Sequence, residues 1–178
     1  MSKRDWLNKA LEILVAGGID AVRVVDLARK LNVAKSGFYW HFRDRNDLLD
    51  AMKFYWIEEF SQEFMEDARA FEGSVREKTL HLIRVIREKE SGKLDLAFAS
   101  WAQTDASVRD LVDRVRDMRI EFAKGLLNQA GTNESELEMR ARLFVVYFMW
   151  SEVVFETGPR DPLGEDLNAI LNIIVGER

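Results

Sequence analysis

The chain has 178 residues, 47% of them hydrophobic and 32% charged, with a net charge of −5, which is enough for a substantial core in one or two domains. It contains no cysteine, which excludes disulfides, thiolate metal sites and a cysteine nucleophile. Met1 is followed by the polar Ser2-Lys3-Arg4-Asp5 rather than the apolar core of a secretory leader, and the longest apolar run, residues 143–150, is too short to cross a bilayer. The expectation is a cytoplasmic protein with no membrane role. Only two prolines, Pro159 and Pro162, interrupt the chain, and its repeated 3.6-residue patterns predict an all-α fold.

Charge is divided unevenly. Residues 1–50 carry 9 Lys/Arg against 7 Asp/Glu, and the remainder carries 17 against 24. A basic end on an acidic body suits a chain in which one module meets phosphate, although so small an excess also describes an ordinary solvated surface. A first helix is predicted over 6–16, stopped by Gly17-Gly18, a pair that suits a left-handed cap. Leu27, Ala28 and Leu31 predict a short second helix. Phe38 and Phe42, at i and i+4, predict a third over about 35–42, after a tight turn.

The remaining residues of that third helix carry the functional signal. At about 100° per residue, Trp40 points almost directly away from the Phe38/Phe42 face, with Tyr39 and His41 beside it. Three rings on an outward face suit a helix lying in a DNA groove, where rings pack on sugars and thymine methyls and their polar tips reach phosphates. In a helix-turn-helix the second helix enters the major groove and its leading turn meets base edges. Here that turn is Lys35, Ser36 and Gly37. Lys35 suits guanine O6/N7 or phosphate, Ser36 suits either a base or a phosphate, and Gly37 removes a side chain where the helix approaches DNA closely. Other readings remain for two of these positions and for the residues that follow. Tyr39 also reads as a cap on the edge of a small core, His41 as a packing histidine, and Arg43-Asp44-Arg45 as a solvated turn.

On these residues, the stretch from Asp5 to Leu49 resembles the DNA-binding domain of the TetR family of transcriptional regulators. The Phe38-Tyr39-Trp40-His41-Phe42 run is close to a Leu-Tyr-Trp-His-Val run of that family, and Asp26-Leu27-Ala28-Arg29-Lys30-Leu31 fits its second helix. The resemblance implies that Tyr39, Trp40 and His41 contact phosphates and thymine methyls, and that Arg45, in the place of a family lysine, grips the backbone. Arg23-Val24-Val25 stands where the family often has a capping Thr or Ser. Arg23 is then the residue there expected to reach phosphate, and sequence readout falls mainly to the third helix.

Beyond it, a long helix is predicted over 46–71. Glu72-Gly73-Ser74 then breaks the chain, and Ser74 is positioned to cap a helix over 75–90. A second break is predicted at Ser91-Gly92, followed by helices over 94–102 and 107–129, the latter ending at Gly131. Residues 143–150 are apolar all round, so their helix needs cover on opposite sides, and a last helix is predicted over 163–175. The resemblance implies that these last two helices pair between subunits of a homodimer; the alternative is the centre of a monomeric bundle. It also implies an effector pocket in the larger domain. Phe60, Phe64, Phe98, Trp101, Phe122, Tyr147 and Trp150 are its candidate lining, each of which also reads as ordinary core. Together they predict an apolar or aromatic effector.

Catalytic signatures are missing. A carboxylate-bridged metal site in a bundle needs two Glu-x-x-His units, whereas Glu77 and His81 are four apart and His41 is the only other histidine. No G-x-x-x-x-G-K-[ST] loop occurs. No catalytic residue, metal or cofactor is predicted. The expected architecture is a helix-turn-helix domain over 1–48 and a helical ligand-binding and dimerisation domain over 49–178. The expected function is a homodimeric, inducer-released repressor that binds an inverted-repeat operator in double-stranded DNA. The alternative is a helical ligand-binding or scaffold protein that no longer reads DNA.

Overall fold

The computed structural model describes the backbone of residues 1–155 and 165–176, and the side chains of 1–147 and 167–176. Among the described residues every regular element is helical: α1 (Lys3–Gly17), α2 (Val24–Lys30), α3 (Arg45–Ile57), α4 (Glu63–Ala70), α5 (Val75–Glu88), α6 (Ser91–Trp101), α7 (Ala106–Gln129), α8 (Glu134–Phe155) and α9 (Glu165–Ile174). The chain forms two compact units, one of Met1–Glu59 and Lys93–Val112, the other of Phe60–Gly92 and Asp113–Arg178.

In the first unit, α1 begins earlier than its apolar pattern because Ser2 and Asp5 form a capping box. The Ser2 hydroxyl accepts from the Asp5 N–H at 3.2 Å, and the Asp5 carboxylate accepts from the Ser2 N–H at 2.6 Å. At the other end Gly18 takes φ 73°, and its N–H reaches the Leu14 carbonyl at 2.9 Å. Such a φ costs glycine no steric penalty, which explains the Gly17-Gly18 stop. Trp6, Leu14, Leu27, Phe38, Phe42, Leu48 and Met52 close the core at 2% exposure or less. A second patch of this unit centres on Trp56, which stacks on Phe98 at 4.2 Å and donates its indole N–H to the buried Asp95 carboxylate at 3.0 Å.

The turn between α2 and the next helix is closed by Asn32 at φ 54°. The Val33 N–H bonds the Ala28 carbonyl and the Asn32 N–H bonds the Arg29 carbonyl, the two hydrogen bonds of a Schellman motif. Asparagine tolerates this left-handed conformation better than most residues with a side chain. The following helix differs from expectation. Lys35–Trp40 is a single 3-10 stretch and not an α-helix, with Gly37 N–H on the Ala34 carbonyl and His41 N–H on the Phe38 carbonyl. Ala34 provides no capping side chain, Gly37 is a weak helix former, and six residues are too few for cooperative α-helix growth.

In the second unit, α4, α5, α7, α8 and α9 share one core through Phe64, Ile83, Phe122, Leu127, Phe144 and Leu171. Ser74 caps α5 through a second capping box, with Glu77 as its partner. The helix predicted over 46–71 does end at Phe71, but a π-helical turn at Glu58–Gln62 divides it. The expected break at Ser91-Gly92 falls one residue earlier. Glu90 takes φ 48°, and Ser91 already belongs to α6, buried with its hydroxyl donating to the Ile86 carbonyl. Gly131, at φ 80°, ends α7 as predicted, with Thr132 N–H on the Leu127 carbonyl. Of the apolar run in α8, Phe144 and Val145 are buried whereas Leu143 and Val146 are exposed. Phe148, Met149, Trp150, Val153, Val154 and Phe155 have side chains outside the described residues, as does Leu163 at the predicted start of the last helix. No described helix is long and apolar enough to cross a membrane.

Candidate nucleic-acid interface and effector cavity

The 3-10 helix separates its rings sharply. Phe38 is fully buried, edge-on to Trp6 at 5.5 Å and 5.1 Å from Phe42. Its neighbours Tyr39 and Trp40 are 54% and 87% exposed. Lys35 lies with its ammonium 5.8 Å from the Tyr39 ring centroid, and Ser36 is exposed beside it. One short helix therefore presents a cation, a hydroxyl, a phenol and an indole on its outer side, held in place by two buried phenylalanines. That combination matches what a groove requires of a reading element, namely donors for phosphates and base edges and flat apolar surface for methyl groups.

The flanking residues are placed differently from one another. Gly37 is half-buried, and a Cβ added there would lie 3.8 Å from Trp6 Cζ2, so the space its missing side chain leaves is on the Trp6 side. His41 is also half-buried, with Nε2 3.2 Å from the Met1 carbonyl oxygen. Arg23 is exposed at the start of α2, where no side chain caps the helix, and its Nε donates to the Asp20 carbonyl at 2.9 Å. Val25, two residues on, is 61% exposed. Arg45 turns its guanidinium inward: Nε donates to the Val22 carbonyl at 2.7 Å and Nη2 to the Ile19 carbonyl at 2.8 Å. Asp44 caps α3, and Asp47 accepts the Arg43 N–H at 2.9 Å, a bond that lowers the Asp47 carboxyl below its ordinary value.

Two features of this unit escaped the sequence reading. Asn32 sets the angle between α2 and the 3-10 helix, and its only signal is a small polar residue between two apolar ones. Arg4 joins α1 to the end of α3, donating to the Tyr55 hydroxyl at 3.0 Å and to the Glu59 carboxylate at 2.5 Å, while Tyr55 donates to Asn8 at 2.8 Å. That contact spans 55 residues and has no periodic signature.

The seven aromatic candidates for an effector site divide. Phe60, Phe64 and Phe122 line one cavity of about 30 Å³ in the second unit, with Met65, Leu82, Ile86, Phe144 and Val145. Tyr147 is half-buried against the same core. Phe98 and Trp101 belong to the first unit, where Phe98 packs against Trp56 and Trp101 lies 5.6 Å from Phe98. The Trp150 side chain lies outside the described residues. The cavity's polar lining, Ser61 and Arg119, was not anticipated. Arg119 Nη2 donates to the Ser61 hydroxyl at 2.7 Å and to the Phe60 carbonyl at 3.1 Å, inside the π turn. No group of three or more His, Cys, Asp or Glu side chains able to hold a metal occurs among the described residues.

Residues 7–52 match the family model of bacterial regulatory proteins of the tetR family. The N-terminal stretch is similar to the tetracycline repressor protein class A from transposon 1721 of Escherichia coli, 39% identical over 46 residues, or 26% of this chain and 21% of that protein. The match thus spans about a fifth of the curated relative's length. The fold is similar along nearly the whole chain to a TetR transcriptional regulator from Legionella pneumophila, with a TM-score of 0.75 and 19% identity over 98% of this chain and 95% of that one. It is similar also to AibR, solved in complex with isovaleryl coenzyme A and operator DNA, with a TM-score of 0.70 and 15% identity over 99% of each chain. Residues 7–52 thus have the sequence of the DNA-binding part of bacterial regulatory proteins of the tetR family, and the described chain has an all-helical fold similar to that of solved TetR regulators.

Proposed function

We propose that the protein is a homodimeric repressor that reads an inverted-repeat operator through the helix Lys35–Trp40 and leaves it when a small molecule occupies the second unit. The observation that carries this reading is the division of rings on that helix, with Trp40 87% exposed two residues from a fully buried Phe38. Tyr39 and Trp40 are adjacent exposed rings beside Lys35 and Ser36, and contiguous apolar surface rimmed by polar groups marks a binding face. In this reading Lys35, Ser36, Tyr39 and Trp40 meet the groove and Arg23 flanks it. Gly37 and His41 support the helix from beneath, and Arg45 holds its base.

The dimer is supported by a second exposed face. Met139, Leu143 and Val146 follow one another at helical spacing on α8 with 45–62% exposure, and Ile173 on α9 is 61% exposed. A regulator with two copies of the reading helix about 34–36 Å apart matches successive major grooves on one side of B-DNA. The effector role is supported by the apolar cavity. AibR, whose fold is similar, was solved with an acyl-coenzyme A and with operator DNA. A ligand that prefers one of two conformations shifts DNA affinity by its differential binding to them. Such a protein acts in the cytoplasm, where bacterial DNA lies.

Selection of genomic DNA fragments by the purified protein, alongside Lys35→Ala and Tyr39→Ala variants, tests this reading. Recovery of a shared inverted repeat by the wild type and not by the variants is the expected result. Binding without a shared motif, unchanged in the variants, would instead support a helical ligand-binding protein that no longer reads DNA.

A further inference from the structure

The cavity of the second unit is apolar except for two side chains, the buried Ser61 and the half-buried Arg119. Ser61 is only 2% exposed, and its hydroxyl accepts from Arg119 at 2.7 Å. The same Nη2 also donates to the Phe60 carbonyl at 3.1 Å. Arg119 is the only charged group among the described lining residues. The other walls are aromatic or aliphatic: Phe60, Phe64, Phe122, Phe144, Leu82 and Ile86.

A guanidinium presents its donors in a planar fork whose spacing fits the two oxygens of a carboxylate, and such charge-assisted pairs strengthen where water is excluded. A hydroxyl beside it adds a third donor. We propose that this cavity takes a monocarboxylic acid with an apolar tail, its carboxylate held by Arg119 and Ser61 and its tail among the phenylalanines. This deepens the effector role given above and rests on it.

The geometry also indicates how occupancy is felt by the fold. At about 30 Å³ the cavity holds little more than one water, whereas sites for organic ligands run to several hundred Å³, so a tail enters only by displacing side chains. Phe60 is the half-buried wall, and it belongs to the π turn Glu58–Gln62. A carboxylate that takes Arg119 removes the donor from the Phe60 carbonyl, while the tail presses on the Phe60 ring. Both act on the same turn, a kind of helix irregularity that is often functional. Arg119 is then a ligand-binding residue and also the brace of the turn.

The test compares sodium decanoate with decan-1-ol, which has the same tail and no carboxylate, by calorimetry on the full-length wild type, Arg119→Gln and Ser61→Ala. The wild type is expected to bind the acid at least about tenfold more tightly than the alcohol, Arg119→Gln to lose that preference, and Ser61→Ala to keep part of it. Equal binding of acid and alcohol by the wild type overturns the proposal without recourse to any variant. So does an undiminished preference in a folded Arg119→Gln protein, with folding checked by circular dichroism. Binding of a selected operator fragment is measured on the same samples. Operator binding with no preference for the acid overturns this inference alone. Preference for the acid with no operator binding overturns the repressor reading and leaves the ligand class standing.

Discussion

Arg45 donates its Nε proton to the Val22 carbonyl at 2.7 Å, and a second guanidinium nitrogen reaches the Ile19 carbonyl at 2.8 Å. One side chain at the start of α3 thus holds the first residue of the 3-10 turn Ile19–Ala21 and the residue after the turn, Val22, 23 positions away. The segment that leads into α2 is fixed against the helix that follows the Lys35–Trp40 stretch. Arg45 is consequently a structural brace as well as a candidate for backbone contact.

That brace predicts the outcome of Arg45→Ala. Removing the donors leaves two carbonyls to find other partners, at a cost of about 1–3 kcal/mol in unfolding free energy. Urea denaturation measures it. If phosphate contact were the main role, stability would hold and the salt dependence of DNA binding would fall by about one charge equivalent.

Asn32 offers a sharper backbone test. At φ 54° it closes the turn of the helix-turn-helix. Asn32→Gly should fold with little change, whereas Asn32→Val should lose about 1–2 kcal/mol, because a β-branched side chain resists this conformation. Equal stability of the two variants by thermal melting would show that the turn does not need the left-handed residue.

The acid limb of stability follows from the capping boxes. The Ser74 hydroxyl, followed by its N–H, holds the Glu77 carboxyl below its ordinary value, and the Ser2 N–H does the same for Asp5. A carboxyl with a depressed folded value stabilises fully above its unfolded value and loses that contribution as pH falls through the folded value. Melting temperature should therefore decline progressively below about pH 4.5, the ordinary value for Glu77. Glu77→Gln, which keeps the shape and loses the titration, should flatten part of that decline. An unchanged slope would contradict it.

The buried Trp56–Asp95 pair predicts an asymmetric response. Asp95→Ala leaves the indole N–H without its carboxylate acceptor in a site where water cannot replace it, at a cost of about 1–3 kcal/mol. Asp95→Asn keeps an acceptor oxygen and should lose less. Chemical denaturation of the two variants checks the order.

The exposed apolar face on α8 predicts the assembly. Val146→Glu places a charge on a residue that is 62% exposed. The variant should keep its helicity and sediment as a monomer where the wild type sediments as a dimer. Identical sedimentation of the two would remove the dimer from the account.

Much of this was legible from residue patterns, and the reasons are physical. The periodic apolar positions fixed the helices because burial repeats with the helix turn, and the outward rings of Tyr39 and Trp40 stood out against the Phe38/Phe42 face. Two kinds of feature were hidden. Helix type over Lys35–Trp40 depends on a missing cap and a glycine, which leave the apolar spacing unchanged. Polar contacts over long separations, such as Arg119 with Ser61 or Arg4 with Glu59, leave no periodicity at all. The same limit explains why Phe98 and Trp101 stood beside Phe60 and Phe64 as effector candidates. Aromatic composition does not say which core a ring enters, and the structure assigns the two pairs to different units.

The central claim is that the exposed side of the Lys35–Trp40 helix reads base sequence. The most direct measurement is the affinity of the wild type, Lys35→Ala and Tyr39→Ala for a selected operator fragment and for a scrambled fragment of equal length, across a salt series. The account predicts that each variant loses about tenfold or more on the operator, with a much smaller loss on the scrambled fragment. Equal losses on both fragments, or none on either, would contradict it.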